Sequence, residues 1–236
     1  MTELHFLMLP ERETILLLTA LLPFVQTSLQ ETYRIVPPER AIQSVIGHLL
    51  ARFLIAQRLH TQMRDILFRR SRFGKPECSG CSSVQFSISH SQNDVICPLS
   101  NAPVGADIEH IRPLPYRAIA RRFFTHRECC ALFNTPDALQ LRYFYRLWTL
   151  KESYLKMRGT GLVFPLQQAE CIPPADMQGT MHCKIPLEIS DSISAYYAQG
   201  YTESSAVYSV CMQDSEALSV TILPFYQWLN ALPEAL

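Results

Sequence analysis

Apolar residues recur every three or four positions through Ile42, Val45, Ile46, Leu49, Leu50, Phe53 and Leu54. That is the period of one helix face, and the preceding Pro37-Pro38 suits a first turn, where a backbone amide is not needed. A helix is predicted from about Pro38 to His60. A second periodic run passes through Leu139, Phe144, Leu147, Trp148 and Leu155, with Thr135 as a cap, Pro136 in the first turn and Gly159 as the stop. At about 1.5 Å per residue this helix is roughly 30 Å long. Between the helices, Val84–Ile88 alternates like a strand, Ser91–Asp94 reads as a turn and Val95–Cys97 as the returning strand. Val104–Glu109 predicts a further strand and Tyr116–Phe124 a short helix. Strands are expected near Glu170–Ile172, Ser194–Tyr197, Ala206–Met212 and Leu218–Leu223, separated by Pro173-Pro174, Gly179 and Gly200. Ile15–Leu22 is too short to span a bilayer, and Glu3, Glu11 and Glu13 precede it where an export signal carries positive charge, so it reads as a core helix.

Both halves run long helix first and strands second, with Pro38 and Pro136 standing 98 positions apart. This order predicts two similar units, residues 1–102 and 103–236. The 236 residues, 48% of them hydrophobic, suffice for one large core or two small ones. Lysine plus arginine balance aspartate plus glutamate at 21 each, which excludes the basic field of a general nucleic-acid binder. Any anion site must be local. Eight cysteines without an export signal point to a reducing compartment, hence the cytoplasm, with packing the expected role of Cys129, Cys130, Cys171, Cys183 and Cys211. Cys78 and Cys81 form a lone C-x-x-C that could seed a zinc site or a redox pair, but no second ligand pair stands at a suitable spacing.

Three fragments bear chemistry. In Gly105-Ala106-Asp107-Ile108-Glu109, alternation puts Asp107 and Glu109 on one strand face. Like-charge strain between such carboxylates is relieved by a cation, and an oxygen-only donor set suits Mg²⁺ better than zinc. In Trp148–Lys156, the residues Trp148, Glu152 and Lys156 fall at i, i+4 and i+8 on one helix face. In Gly74-Lys75-Pro76 and Phe86-Ser87-Ile88-Ser89-His90-Ser91, glycine permits close approach of a ligand, Lys75 supplies charge for phosphate, and Ser89 and His90 supply hydrogen-bonding groups. Each fragment alone also fits an ordinary structural role: an exposed edge strand, a surface ion pair, a basic loop before a hairpin.

Taken in order and at these separations, GKP, FSISHS, GADIE and WTLKESYLK resemble the Sfp-type 4′-phosphopantetheinyl transferases, over about Arg40 to Gly161. The resemblance implies an α+β fold with pseudo-twofold duplication, each half a long helix on a mainly antiparallel sheet. The implied enzyme moves the 4′-phosphopantetheine arm of coenzyme A to a serine of an apo acyl, peptidyl or aryl carrier protein, releasing 3′,5′-ADP, in fatty-acid or secondary-metabolite biosynthesis. Carried over residue by residue, Asp107, Glu109 and Glu152 would hold Mg²⁺. Lys75, Ser89 and His90 would contact the coenzyme phosphates, Ser44 would touch the nucleotide, Glu152 would activate the acceptor serine, and Lys156 would stabilise the departing 3′,5′-ADP. A cytoplasmic monomer without nucleic-acid or membrane partners is implied. The family often has arginine where Gln43 stands here, and Arg40, one turn before Ser44, is the candidate replacement at the 3′-phosphate. Glu128 fits either a capping box with Thr125 or a site role, and Gly47 suggests close approach of another helix or of the ligand. Two rivals are a carrier-binding homologue without activity and a metal-dependent phosphodiesterase.

Overall fold

The computed structural model describes residues 1–10, 14–26, 30, 33, 35–161, 164–173, 181–185, 195–214 and 218–232; of residues 14, 15, 39, 40 and 181–185 it describes only the backbone. The expected Pro173-Pro174 and Gly179 breaks fall partly outside these residues. In chain order the elements are β1 (Thr2–Met8), α1 (Thr14–Leu21), α2 (Pro38–Leu59), β2 (Phe68–Arg70), β3 (Pro76–Cys78), β4 (Gln85–Phe86), β5 (Ser89–Ser91), β6 (Asp94–Ser100) and β7 (Val104–His110). There follow α3 (Tyr116–Phe123), α4 (His126–Asn134), α5 (Asp137–Arg158), β8 (Met181–Ile185), β9 (Ala195–Tyr201), β10 (Ala206–Met212), β11 (Leu218–Leu223) and α6 (Phe225–Ala231). The fold is α+β.

The two organising helices are built alike. Each has 22 residues, a proline at the N-cap with φ −50°, and a left-handed C-cap, His60 at φ 51° and Gly159 at φ 66°. Thr135, expected to cap α5, instead closes α4 and donates its hydroxyl to the Ala131 carbonyl. The first sheet runs β11-β1-β6, with β4 and β5 both on the far edge of β6; β1 and β11 are parallel and the other pairs antiparallel. The second sheet is antiparallel in the order β7-β10-β9-β8. β2 and β3 make a separate ribbon.

Each long helix buries its apolar stripe on its own sheet. Val45, Ile46, Leu49 and Leu50 of α2 pack with Val95, Cys97 and Leu99 of β6, while Leu150, Tyr154 and Leu155 of α5 pack with Tyr197 and Cys211. Complete burial of one such aliphatic side chain stabilises by roughly 1.5–3 kcal/mol. The division of the sequence at 102/103 falls in the β6–β7 turn, but the tail of the chain crosses it. β11 pairs with β1, and Phe225, Trp228 and Leu232 enter the first core. The strand expected at Glu170–Ile172 does not form: the Cys171 amide donates 2.7 Å to a buried carboxylate oxygen of Glu128 instead of to a neighbouring strand. Among the described residues, no helix is long and apolar enough to cross a membrane.

Gly105 fixes how closely β7 lies on α5. A Cβ there would stand 2.1 Å from both the Met157 nitrogen and the Ser153 oxygen, backbone atoms that no rotamer change can move. Gly105→Ala is therefore expected to cost about 3 kcal/mol or more, measured by urea unfolding; a loss below about 1 kcal/mol would mean that the two elements sit further apart.

Candidate functional site

The site lies where β5 meets β7 beside the last turns of α5. Pro98, opposite Ser87, offers no amide to the ladder, and the strand expected at Val84–Ile88 is reduced to β4, with pairing to β6 resuming beyond it at β5. Ser87, Ser89 and Ser91 alternate along this segment, and their Oγ atoms accept from the amides of Ala106, Ile108 and His110 at 3.1, 3.3 and 3.1 Å. These amides lie on the edge of β7 away from β10. Three hydroxyls thus satisfy an edge that no strand covers among the described residues, and they place the FSISHS segment directly against GADIE.

Asp107 stands at the centre of this seam, 5% exposed. Its Oδ1 accepts from Lys156 Nζ at 2.7 Å and from Ser89 Oγ at 2.9 Å, and Lys156 Nζ also donates to Ser89 Oγ at 2.9 Å. Its Oδ2 is buried with no hydrogen-bond partner among the described residues. Two positions on, Ser91 Oγ donates to Glu109 Oε2 at 3.3 Å. Burial pushes the Glu109 carboxyl up, and the charge of Asp107 adds to the shift. Glu152 rises further, to about 7, first through burial and then through Asp107 and Glu109, with Lys156 opposing. The three carboxylates are therefore electrostatically coupled and short of positive charge. Among the described residues no three His, Cys, Asp or Glu side chains stand close enough to hold a metal ion, and Lys156 occupies Asp107 Oδ1. The orphaned Asp107 Oδ2 and the strained protonation of Glu109 and Glu152 nevertheless fit a divalent cation with oxygen ligands.

Two cavities flank the seam. One, of about 220 Å³, is bounded by Gly74, Lys75, Pro76, Ser87, Lys156 and Gly159. Lys75 Nζ donates to the Val104 carbonyl at 2.9 Å, and burial brings its pKa down to about 8. The other, of about 330 Å³, shares Pro76 and Ile88 as walls and takes in Ser44 and His90, whose Oγ and Nε2 lie 3.3 Å apart. Burial, then the nearby Lys156, lowers the His90 pKa. Lys75, Ser89, His90, Asp107, Glu109, Glu152, Lys156 and Ser44 are thus gathered around one junction. The side chain of Arg40 lies outside the described residues. Gln43 is turned away, donating to the Gln92 carbonyl in the β5–β6 turn.

Sequence reasoning missed Tyr33, His48 and Arg70, which also line the larger cavity. Their signal was weak: His48 stands one turn after Ser44, off the apolar stripe of α2, and Arg70 belongs to a basic stretch whose alternation sends Arg69 to Glu77 and Arg70 to the cavity. The close neighbour that Gly47 admits is neither a helix nor a ligand but Ile88, whose Cγ2 would be 2.6 Å from an added Cβ.

Glu128 resolves as a structural residue. It completes the capping box with Thr125, and both of its oxygens accept from Lys151 Nζ at 2.7 Å in a pair that is 0% exposed on either side. Lys151 follows Leu150 on the buried side of α5, about 100° from Glu152 around the helix. Trp148 packs against Phe123 and Phe144 one turn before Glu152. Of the cysteines, Cys97, Cys171 and Cys211 are buried as packing residues, but Cys130 is exposed beside His126. Cys78 and Cys81, whose spacing left a zinc site or a redox pair open, are joined as a disulfide.

The family model described as the 4′-phosphopantetheinyl transferase superfamily matches residues 103–211, and one described as the N-terminal part of 4′-phosphopantetheinyl transferase matches residues 9–99. The chain is 34% identical over 163 residues to the 4′-phosphopantetheinyl transferase Sfp of Bacillus subtilis (strain 168), covering 69% of this chain and 70% of that protein. It is 39% identical over 137 residues to the 4′-phosphopantetheinyl transferase gsp of Aneurinibacillus migulanus, 58% of this chain and 56% of the relative. A more distant match is the L-aminoadipate-semialdehyde dehydrogenase-phosphopantetheinyl transferase of Xenopus laevis, 34% identical over 151 residues, 57% of this chain and 49% of that one.

Proposed function

Because this chain belongs to the Sfp-type 4′-phosphopantetheinyl transferase family, we propose that it transfers phosphopantetheine from coenzyme A to a serine of an apo acyl, peptidyl or aryl carrier protein. The observation that carries this reading is the convergence of Asp107, Glu109, Glu152 and Lys156 on the seam between the halves, beside cavities lined by Lys75, Ser44 and His90. Asp107, Glu109 and Glu152 would hold Mg²⁺, which when bound supplies positive charge to the diphosphate. Lys75, Ser89 and His90 bind the coenzyme phosphates, with Ser44 at the nucleotide. The acceptor serine Oγ forms the new bond to phosphorus, its proton passes to Glu152 directly or through a water, and the diphosphate bond to 3′,5′-ADP breaks. Lys156, its side chain 32% exposed, can shift from Asp107 toward the departing diphosphate. The protein works as a cytoplasmic monomer in this reading.

Release of 3′,5′-ADP from coenzyme A distinguishes the rivals. Transfer predicts release only when an apo carrier is present. Release without carrier would favour a phosphodiesterase, and carrier binding without release an inactive homologue.

The raised Glu152 pKa also fixes a pH effect. Its folded pKa, about 7, lies above the ordinary glutamate value of 4.5, so the folded state binds the proton more tightly and is progressively disfavoured as pH rises through that window. Burial of His48 lowers its pKa to about 4 and tilts the wild-type profile the other way; comparison with Glu152→Gln isolates the glutamate. In metal-free protein Glu152→Gln is expected to be near neutral at pH 5 and stabilising by on the order of 1–3 kcal/mol at pH 8. Mg²⁺ at pH 8 should raise the wild-type melting temperature more than that of the variant. A pH-independent difference in melting temperature would place Glu152 in solvent.

A further inference from the structure

The Cys78–Cys81 disulfide has no part in the chemistry above, yet only Pro76 and Glu77 separate Cys78 from Lys75. The β2–β3 ribbon that carries both has three residues per strand and belongs to neither large sheet. A two-stranded ribbon of this size is marginal by itself. One end is the Lys75 turn, held by Ser71: its amide donates 2.8 Å to the Lys75 carbonyl, and its Oγ accepts from the Lys75 amide at 3.1 Å. At the other end Cys78 pairs in register with Phe68, and the disulfide closes the next turn, with Cα atoms 5.4 Å apart. Ser79 N donates to the Leu67 carbonyl at 2.8 Å and Val84 N to the Cys81 carbonyl at 3.1 Å, so the closed turn is tied to the chain on both sides. Both cysteines are half-buried and line a cavity of about 340 Å³ that Lys75 and Pro76 also border, which leaves the sulfurs within reach of a small thiol.

We infer that Cys78 and Cys81 form a reversible thiol–disulfide site whose oxidised form holds the β2–β3 ribbon in place and thereby raises the affinity for the coenzyme at Lys75. This rests on the reading that Lys75 contacts the coenzyme. Reduction proceeds by thiol–disulfide exchange with a low-molecular-weight thiol. Its thiolate attacks one sulfur, the Cys78–Cys81 bond breaks, and a mixed disulfide and a cysteine thiolate result. A second thiol molecule attacks the mixed disulfide, leaving two cysteine thiols on the protein and one small-molecule disulfide in solution. Two electrons and two protons have then passed to the protein. Reduction frees the turn, the ribbon samples more conformations, and Lys75 is presented less often in its binding position.

The test compares the full chain after treatment with glutathione disulfide and after treatment with dithiothreitol followed by its removal. Intact mass after iodoacetamide counts the free thiols. Calorimetry with S-methyl coenzyme A, which cannot itself reduce a disulfide, gives the Kd. The reduced protein should carry two more alkyl groups than the oxidised protein and bind about three- to tenfold more weakly, the scale expected for releasing so short a ring. Cys78→Ser and Cys81→Ser should show the weaker Kd under both treatments while retaining the wild-type melting transition of the main cores. Equal Kd values for two forms that differ by two thiols would overturn this inference alone, as would cysteines that remain fully alkylated after oxidation. No binding in either form would remove the coenzyme reading and this inference with it.

Discussion

Asp107→Asn is expected to lower carrier modification by about a hundred- to a thousandfold, the loss typical of removing one electrostatic stabiliser from an active site. Asparagine keeps the shape of the side chain, and its carbonyl oxygen can still accept from Ser89 and Lys156 at the Oδ1 position. What it removes is the negative charge and the carboxylate character of Oδ2, the buried oxygen without a hydrogen-bond partner among the described residues. Lys156, its side chain 32% exposed, can leave part of its charge to water, so the fold should survive. Steady-state transfer rates and far-ultraviolet circular dichroism on the same preparation check this. Full activity in a folded Asp107→Asn protein would place the cation elsewhere.

The largest effect on stability is expected at the other buried carboxylate. Glu128→Ala leaves Lys151 0% exposed without its counter-ion and strips the capping box from α4. Breaking one side of a buried pair costs about 3–5 kcal/mol; the Thr125 hydroxyl still accepts from the backbone amide of residue 128, so the cap itself survives. The amide of Cys171 and that of Thr125 lose an acceptor as well. Glu128→Gln combined with Lys151→Met should recover more than half of the loss, because glutamine can still serve the cap and the stranded charge is gone. Equilibrium denaturation of the two variants measures this. A Glu128→Ala protein within 1 kcal/mol of wild type would mean that water reaches Lys151. Activity per folded molecule should change little in the double variant, since neither side chain faces the seam.

The long helices were legible because their patterns are local. Proline at the start, a 3.6-residue apolar period and a glycine or left-handed stop defined α2 and α5 to within a residue or two at either end. α4 was visible only as the Thr125–Glu128 capping box, since its short run mixes cysteines with polar residues and its apolar face is completed by α3 and α5. β11 could be read as a strand, but not its return to pair in parallel with β1, more than 200 positions earlier in the chain. At the site, strand alternation was enough to put Asp107 and Glu109 on one face, and helix spacing to align Glu152 with Lys156. Neither reveals that Lys156 reaches Asp107, or that Ser87, Ser89 and Ser91 serve the amides of β7, because those bonds exist only after the halves close on each other. Lys151 stands next to Glu152 in sequence and looks equally available; only the packing of α5 shows that it turns inward to Glu128. Gln43 illustrates the converse. It stands where the resembled family often has arginine, and the structure turns it to the β5–β6 turn while bringing Arg70, from a strand that no local pattern linked to α2, to the cavity beside Ser44.

The intact mass of an apo carrier domain, incubated with the protein, coenzyme A and Mg²⁺, reports the transfer itself. A single phosphopantetheine-sized gain is expected, confined to the serine of the carrier, that disappears when Mg²⁺ is chelated and falls sharply with Asp107→Asn. Acyl, peptidyl and aryl carriers that all keep their starting mass, with coenzyme A intact, would contradict it.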